Sequence, residues 1–460
     1  MGSSSTGSPG TGSGSTGSGD TGSRDRLRAR DLAAATPATR DRYVDLLRVA
    51  SLAVVVLGHW LMAAVGPDGQ VGNLLAVVPE LQAVTWVFQV MPVFFFVGGF
   101  SHALAHRSRP RYAEFLRARL QRLLRPTMVF VAVWGAAALV LPPLGADGGL
   151  AGVALRLVTQ PLWFIGIYLA MVALTPPLLR LHERWGWGAF AALAGGAVAV
   201  DLLRFAVHVP FVAFLNFAFV WLAVHQLGFL RADGMIPRPA LLAGAGLAGA
   251  AALVALGPYP LSMVGMPGEK VSNMAPPTLA LLCHGLWLVG AVELLRGPGG
   301  RFAARAGVWR AVVAANGVAM TAFLWHLTAM LGVYGALLGS GARLPEPASG
   351  AWWAQVPPRL AAAAVLAALL VAAFRRFEAP VPAAPATGTG GPLAALGITL
   401  ALFGVLGLSL TGFAGLLDGH AATLVVVPVT APAAVALILA GWLVVERAGR
   451  APGAVTGRSR

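Results

Sequence analysis

Arg42–Trp60 reads RYVDLLRVASLAVVVLGHW. It carries a carboxylate, a cation and a titratable imidazole into an otherwise apolar run, a combination that is costly in hydrocarbon and marks function by default. Asp45 and Arg48 are three residues apart, and His59 follows Arg48 by eleven. On a helix, eleven steps of about 100° return to within about 20° of the starting face, so all three share one stripe. The rise from Arg48 to His59 is about 16 Å at about 1.5 Å per residue. A cation near one membrane surface and an imidazole well inside can therefore line one elongated ligand.

The surrounding composition places that stripe in a membrane. The chain has 460 residues, of which 57% are hydrophobic and 11% charged. With a mean hydropathy of +0.74, it lies outside the range of soluble multidomain proteins. A net charge of +15 would raise nucleic acid as a partner in a soluble protein. Here the arginines fall between apolar runs, so they are read as setting topology and meeting anionic headgroups or an anionic cofactor, with no nucleic acid involved. The single cysteine, Cys283, excludes an internal disulfide and a multi-cysteine metal site. No zinc spacing, phosphate-cradling glycine loop or serine nucleophile elbow occurs in a suitable context, and no metal is expected.

Residues 1–41 open with a Gly/Ser/Thr-rich tail that cannot bury enough surface to offset its ordering entropy, followed by an arginine-rich flank. Twelve apolar runs follow, each near the 20 or so residues that cross a bilayer. They centre on residues 44–65, 84–105, 124–142, 161–179, 186–205, 210–230, 239–257, 277–295, 311–339, 358–374, 392–416 and 421–445. With the N-terminus inside, all but five of the 33 Lys and Arg residues fall on the cytoplasmic side, the exceptions being Arg156, Arg204, Lys270, Arg343 and Arg359. The positive-inside rule thus puts both termini in the cytoplasm of a multi-pass cell-membrane protein. The expected fold is all-α and polytopic: a ten-helix body over 42–374, a Pro/Gly-rich linker over 375–391, a two-helix appendix over 392–446 without mid-span charge, and a basic tail over 447–460. The outer loop 257–277 either dips back to roof a cavity or is an ordinary surface loop.

Several polar residues lie within the spans. His59 and His326, the latter in TAFLWHLTAM, are candidates for chemistry or for hydrogen bonds between helices. Asp201 and Arg204 are three apart in AVDLLRF and can pair with each other or meet a substrate. Asn216, His225, Gln226, His284 and Glu293, each taken alone, read as glue between helices. Arg111–Arg125 is a basic amphipathic stretch. It fits either a snorkelling helix at the membrane surface or a phosphate site suited to the planar fork of arginine.

The ordered set of motifs resembles the membrane acyltransferase-3 family. RYVDLLRVASLAVVVLGH is similar to its first-helix signature, in which an arginine is followed after ten residues by a histidine, here Arg48 and His59. FFFVGGF resembles a segment usually written with Ser-Gly-Phe, and Gly98 replaces the serine. Arg122-Leu-Leu-Arg125 fits a basic R-x-x-R element. PLWFIGIYL occupies the place of a helix that often carries glutamate, where Tyr168 stands instead, and FLWHL matches a late Trp-His element through Trp325 and His326. The likeness covers the ten-helix body.

The resemblance implies O-acylation, usually acetylation, with acyl-CoA as cytoplasmic co-substrate and a sugar, glycolipid or secreted metabolite of the cell envelope as acceptor. Arg48, Arg122 and Arg125 would hold CoA phosphates and Asp45 would position Arg48. Trp325 and His326 would shape the acyl pocket, and Asp201 and Arg204 would contact the acceptor. His59 would be the general base or the acyl carrier, the first role suiting an imidazole whose ordinary pKa is about 6.5. Membrane lipids are expected around the bundle, and a separate extracytoplasmic transferase is a possible further partner. The competing reading is a transporter that exports a glycolipid or small acid with the buried histidines as proton relay.

Overall fold

The computed structural model describes residues 30–37, 39–141, 149–266, 268–378, 390–414, 416 and 421–448. The Gly/Ser/Thr tail, residues 379–389 of the linker, Asp418, His420 and the basic tail beyond residue 448 lie outside the described residues.

Among them, twelve long helices correspond to the twelve apolar runs. They are α1 (Arg42–Met62), α2 (Met91–Ser108), α3 (Tyr112–Val140), α4 (Pro161–Trp185), α5 (Trp187–Phe205), α6 (Asn216–Ala232), α7 (Pro239–Leu256), α8 (Leu279–Leu294), α9 (Ala319–Gly339), α10 (Gly350–Phe374), α11 (Gly391–Thr411) and α12 (Ala431–Ala448). Eleven candidate spans are long and apolar enough to cross a membrane. A twelfth appears if α8 and the helix Arg296–Ala304, bent from it by 58°, form one span. Strands are confined to two short hairpins, Ala63–Val65 with Val71–Asn73 and Ala421–Leu424 with Val427–Thr430. The chain is an all-α, multi-pass membrane protein.

Local chemistry fixes the helix that matters most. Asp41 caps α1, its carboxylate accepting from the N–H groups of Tyr43 and Val44 at 3.1 and 3.2 Å. The same carboxylate takes a hydrogen bond of 2.8 Å from Arg231 at the end of α6. The Tyr43 hydroxyl donates to the Val292 carbonyl of α8 at 2.6 Å. The start of α1 is thereby tied to two other helices before it enters the bundle.

Three features depart from the linear reading. The basic stretch Arg111–Arg125 is the first half of α3, which continues through Pro126 as one 29-residue helix. At about 1.5 Å per residue α3 is some 44 Å long, longer than the roughly 30 Å hydrocarbon core, so a polar end projects beyond it. The ninth apolar run is broken. A helix Ala306–Asn316 ends at Gly317, and α9 restarts at Ala319. The cause lies some sixty residues on, where the Glu378 carboxylate accepts from the N–H groups of Met320 and Thr321 at 3.0 and 2.8 Å and from the Thr321 hydroxyl at 2.7 Å. These bonds satisfy the exposed donors of a new helix N-terminus.

The third departure concerns the C-terminal pair. α11 and α12 pack on each other and also on α3 and α4. Phe413 is fully buried, its ring 6.3 Å from that of Phe130 in α3. Its N–H donates to the Leu155 carbonyl at 2.8 Å. Glu446 accepts from Gln121 at 2.8 Å and lies 3.6 Å from the Arg117 guanidinium. The appendix expected from sequence is therefore packed against the body.

The loop 257–277 is a docked structure on the side where α1 ends. Met263 is buried and its N–H donates to Thr85 Oγ1 at 2.9 Å, while Asn273 Nδ2 bonds the carbonyls of Pro260 and Ser262 at 2.7 and 3.0 Å. It closes over α5–α8, and its residues line neither of the cavities described below.

Candidate active site

α1 and α9 lie side by side and bring their histidines together. The Phe323 carbonyl accepts a short hydrogen bond from His326 Nδ1, which leaves Nε2 of a neutral His326 ring without a proton. That Nε2 lies 3.1 Å from His59 Nδ1, so the network assigns the His59 proton to Nδ1. His59 Nε2 is left with a free lone pair, the requirement for a base. Trp60, the next residue, donates its indole N–H to the His326 carbonyl at 2.9 Å and fixes the two helices at this height.

Below the pair, toward the start of α1, is a larger, partly open cavity. Its polar wall is Arg48, Arg119, Arg122, Tyr168, Asn316 and Glu378, and Phe94, Phe164, Met320 and Phe323 supply most of the apolar wall. Arg48 is aimed by its neighbours. Nη1 donates to Asp45 at 3.0 Å and Nη2 makes a short bond to Ser101, while Asp45 is also held by Arg40 Nε at 2.6 Å. Arg122 donates to the Asn316 carbonyl at 3.2 Å and Arg119 to that of Ser101 at 3.3 Å. Among the described residues the one acid lining the cavity is Glu378, whose carboxylate is engaged at the N-terminus of α9 and whose pKa burial raises above the ordinary value. With Asp45 paired to both Arg40 and Arg48, the arginines here still outnumber the acids, which favours an anionic ligand.

Above the pair, between α9, α10 and the end of α1, is a smaller, partly open cavity walled by Trp60, Tyr334, Trp352 and Arg359. Along α1, His59 falls between Leu52 of the first cavity and Trp60 of the second. Along α9, His326 falls between Phe323 and Met330. The histidines thus separate two cavities at opposite ends of the same helix pair.

The structure distributes the remaining sequence candidates unevenly. Asp45, Arg48 and Arg122 are at the larger cavity or support it, and Arg119 lines it where Arg125 does not. Trp325 stacks on Phe374 at 4.2 Å and meets Phe130 edge-on at 5.3 Å, which ties α9 to α10 and α3. Asp201 is buried and accepts from Asn216, Tyr259 and the Leu279 N–H at 2.9, 3.0 and 2.8 Å. It pins the docked loop and α8, while Arg204 lies over the Phe205 ring at 4.7 Å. His284 and Gln226 bond across helices, to the Trp86 carbonyl at 2.9 Å and to His182 at 2.8 Å.

Two residues that depart from the motifs meet in space. A Cβ placed on Gly98 would lie 3.4 Å from the Tyr168 ring, so the two positions are neighbours across the α2–α4 contact. Tyr168 in turn leads away from the cavity. Its hydroxyl is 3.0 Å from His102 Nε2, and His102 Nδ1 is 3.0 Å from His225 Nε2. Sequence reading did not single out His102. Its place in GGFSHALAH, one turn beyond the Gly98-Gly99 pair, was the only signal.

This arrangement defines a class: a multi-pass helical bundle with a base-competent histidine between an arginine-lined cavity and an aromatic one. The acyltransferase-3 family, described as an acyltransferase domain, matches residues 41–375, and the chain belongs to it. It is a membrane acyltransferase. No curated protein and no solved structure matches it significantly.

Proposed function

We propose that the protein is an O-acyltransferase that uses acyl-CoA, with acetyl as the transferred group, and acylates a hydroxyl of a cell-envelope sugar, glycolipid or secreted metabolite. The observation that carries the reading is the His59–His326 hydrogen bond on the α1–α9 seam, which falls between the residues lining the two cavities and assigns the basic lone pair to His59 Nε2. The larger cavity suits the donor. Arg48, Arg119 and Arg122 offer forked donors to phosphate oxygens, and the apolar wall of Phe94, Phe164 and Phe323 suits the thioester end. The rise of about 16 Å along α1 from Arg48 to His59 accommodates an extended arm between them.

In this scheme His59 Nε2 takes the proton of the acceptor hydroxyl as its oxygen bonds to the thioester carbonyl carbon. When the carbon–sulfur bond breaks, the electron pair leaves on sulfur and the proton passes from His59 to the thiolate, giving ester and free thiol. Such a base contributes about 10²- to 10⁴-fold. His326 positions His59 and keeps its Nδ1 protonated. The arginine-lined end faces the cytoplasm under the charge distribution of the loops, so both termini are cytoplasmic and the aromatic cavity faces outward. A separate transferase outside the membrane is a fitting recipient where the final acceptor lies farther away.

Membranes carrying wild type or His59→Ala are to be supplied with labelled acetyl-CoA. Wild type should transfer label to a membrane or secreted acceptor, and the variant should lose about 10²-fold or more. Undiminished transfer would remove His59 from the chemistry. Arg48→Ala and Arg122→Ala should weaken CoA binding, and unchanged binding in both would end the phosphate assignment.

A further inference from the structure

The aromatic cavity holds a cation without a counter-charge. Arg359 on α10 donates from Nε to the Gln355 carbonyl at 3.2 Å, from Nη1 to the Tyr334 hydroxyl at 3.0 Å and from Nη2 to the Trp352 carbonyl at 2.8 Å. Its guanidinium lies over the rings of Trp352 and Tyr334, at 4.8 and 5.6 Å. All these partners are neutral, and among the described residues no carboxylate lies within 4.0 Å of it. A guanidinium has five N–H donors in a fixed fork, so one remains on each terminal nitrogen. A half-buried cation at membrane depth is expensive even with backbone carbonyls as partners, and such residues mark substrate or ion pathways by default. Arg359 is also one of the five cations that the loop charges leave on the outer side.

Trp352 also walls the cavity, but its indole nitrogen is itself fully buried, so the free donors facing a ligand are those of the Arg359 guanidinium. The cavity therefore offers the unspent donors of Arg359 beside the rings of Trp60 and Tyr334. Trp60 adjoins His59 in the chain and is bonded to the His326 backbone.

We propose that this cavity is the acceptor subsite and that its ligand is a hydroxyl-bearing compound, a sugar or glycolipid, that also carries an acid group, carboxylate or phosphate. The acid pairs with the two remaining Arg359 donors, and a ring packs on Trp60 or Tyr334. The hydroxyl to be acylated then lies toward His59. The assignment rests on the acyl-transfer reading and moves the acceptor from Asp201 and Arg204, where the sequence placed it, to Arg359.

The test separates the charge preference of the cavity from the chemistry. In a Cys283→Ala background, Val356→Cys puts a thiol in the cavity wall. Its labelling rates are compared for a sulfonate-bearing and a trimethylammonium-bearing methanethiosulfonate. The sulfonate should react faster by about tenfold or more, as expected beside a weakly screened cation. Arg359→Gln should abolish that preference and Arg359→Lys should restore part of it. Octyl glucuronide should slow labelling and octyl glucoside should not. Protection by free glucuronate as well would mark a soluble acceptor, and protection by the octyl compound alone a lipid-linked one. Equal rates for the two reagents, a preference that survives Arg359→Gln, or equal effects of the two glycosides would overturn the anionic assignment. Labelled Val356→Cys protein should bind CoA normally and fail to transfer acetyl groups, and transfer that persists would overturn the acceptor role. If unlabelled protein transfers nothing from acetyl-CoA, the donor reading falls and the acceptor role with it, while the reagent rates still judge the anion site.

Discussion

Gly228→Ala tests how the bundle holds its buried histidines. α2 and α6 cross at Gly99 and Gly228 in near backbone contact. A Cβ added at residue 228 would lie 2.8 Å from the Gly99 carbonyl carbon and closer still to the Phe96 oxygen and Phe100 nitrogen. Carbon atoms pack best at about 3.5–4.0 Å, so the helices must part by roughly 1 Å. Because all the nearest atoms are backbone, no rotamer change can absorb the methyl, and overpacking of this kind costs about 1–3 kcal/mol. The consequence reaches the site. His102 lies one turn beyond Gly99 and His225 one turn before Gly228, so parting the crossing stretches their 3.0 Å hydrogen bond past the 3.5 Å limit and loosens Tyr168. A displacement of 1 Å near reacting groups can cost about 10²-fold in rate. Thermal unfolding of purified protein in detergent, with labelled acetyl transfer per folded molecule, reads both effects. Gly195→Ala in α5 is the control, since a Cβ there meets nothing within 4 Å, and it should gain up to about 1 kcal/mol from helix propensity. Gly228→Ala as stable and active as wild type, or Gly195→Ala equally damaging, would refute the crossing as the device that sets the histidine geometry.

Glu378→Gln removes the acid from the arginine-lined cavity and should tighten CoA binding at neutral pH, by about 1 kcal/mol or roughly fivefold. Burial raises the Glu378 pKa, so lowering the pH through that raised value neutralises the carboxylate and strengthens anion binding in wild type but less in the variant. Titration calorimetry over pH measures this, and weaker binding by Glu378→Gln would contradict it. Asp233, just beyond α6, is held below the ordinary carboxylate range first by its hydrogen bonds from Arg107, at 2.6 and 3.0 Å, and then by His182 at 2.9 Å. A depressed folded pKa gives stability that is present above the unfolded value of about 3.9 and lost as pH falls through the lower folded one. Acid unfolding of Asp233→Asn should therefore show a flatter limb below about pH 4 than wild type, and parallel curves would refute the linkage. Asp201→Asn leaves a buried donor set facing an amide and should cost about 1–3 kcal/mol of stability, while sparing the acceptor KM of the folded fraction. A raised acceptor KM without loss of stability would return Asp201 to the substrate.

What was legible in the sequence followed from periodicity and length. A bilayer demands about 20 apolar residues per crossing, so the helices could be counted, and helical geometry put Asp45, Arg48 and His59 on one face before any contact was known. The parts not legible depend on partners far apart in the chain. Asn316-Gly317 is a local stop signal that the apolar residues on both sides outweighed, so the ninth run read as continuous, and that Glu378 caps the new helix is not written near it. Arg119 and Arg125 belong to the same basic stretch, and only the packing of α3 against α1 and α9 decides that Arg119 joins Arg48 and Arg122. Arg359 read as a minor exception to the charge rule because its unmet donors become visible only when Tyr334 and Trp352 stand beside it.

The two motif departures show how a sequence can mislead when taken residue by residue. Read singly, Gly98 and Tyr168 are two losses, a serine hydroxyl and a carboxylate, and each weakens the likeness. In the bundle they are neighbours, since a Cβ at residue 98 would stand 3.4 Å from the phenol ring. The hydroxyl reach is not lost either, since Ser101, one turn on, bonds Arg48. The carboxylate is replaced by a phenol that hands its hydrogen bond to His102 and, through it, to His225. The cavity wall therefore keeps a polar group linked to buried imidazoles while giving up one negative charge. In a pocket already carrying Glu378, that trade leaves the balance with Arg48, Arg119 and Arg122, and it favours an anionic ligand such as the proposed acyl-CoA donor.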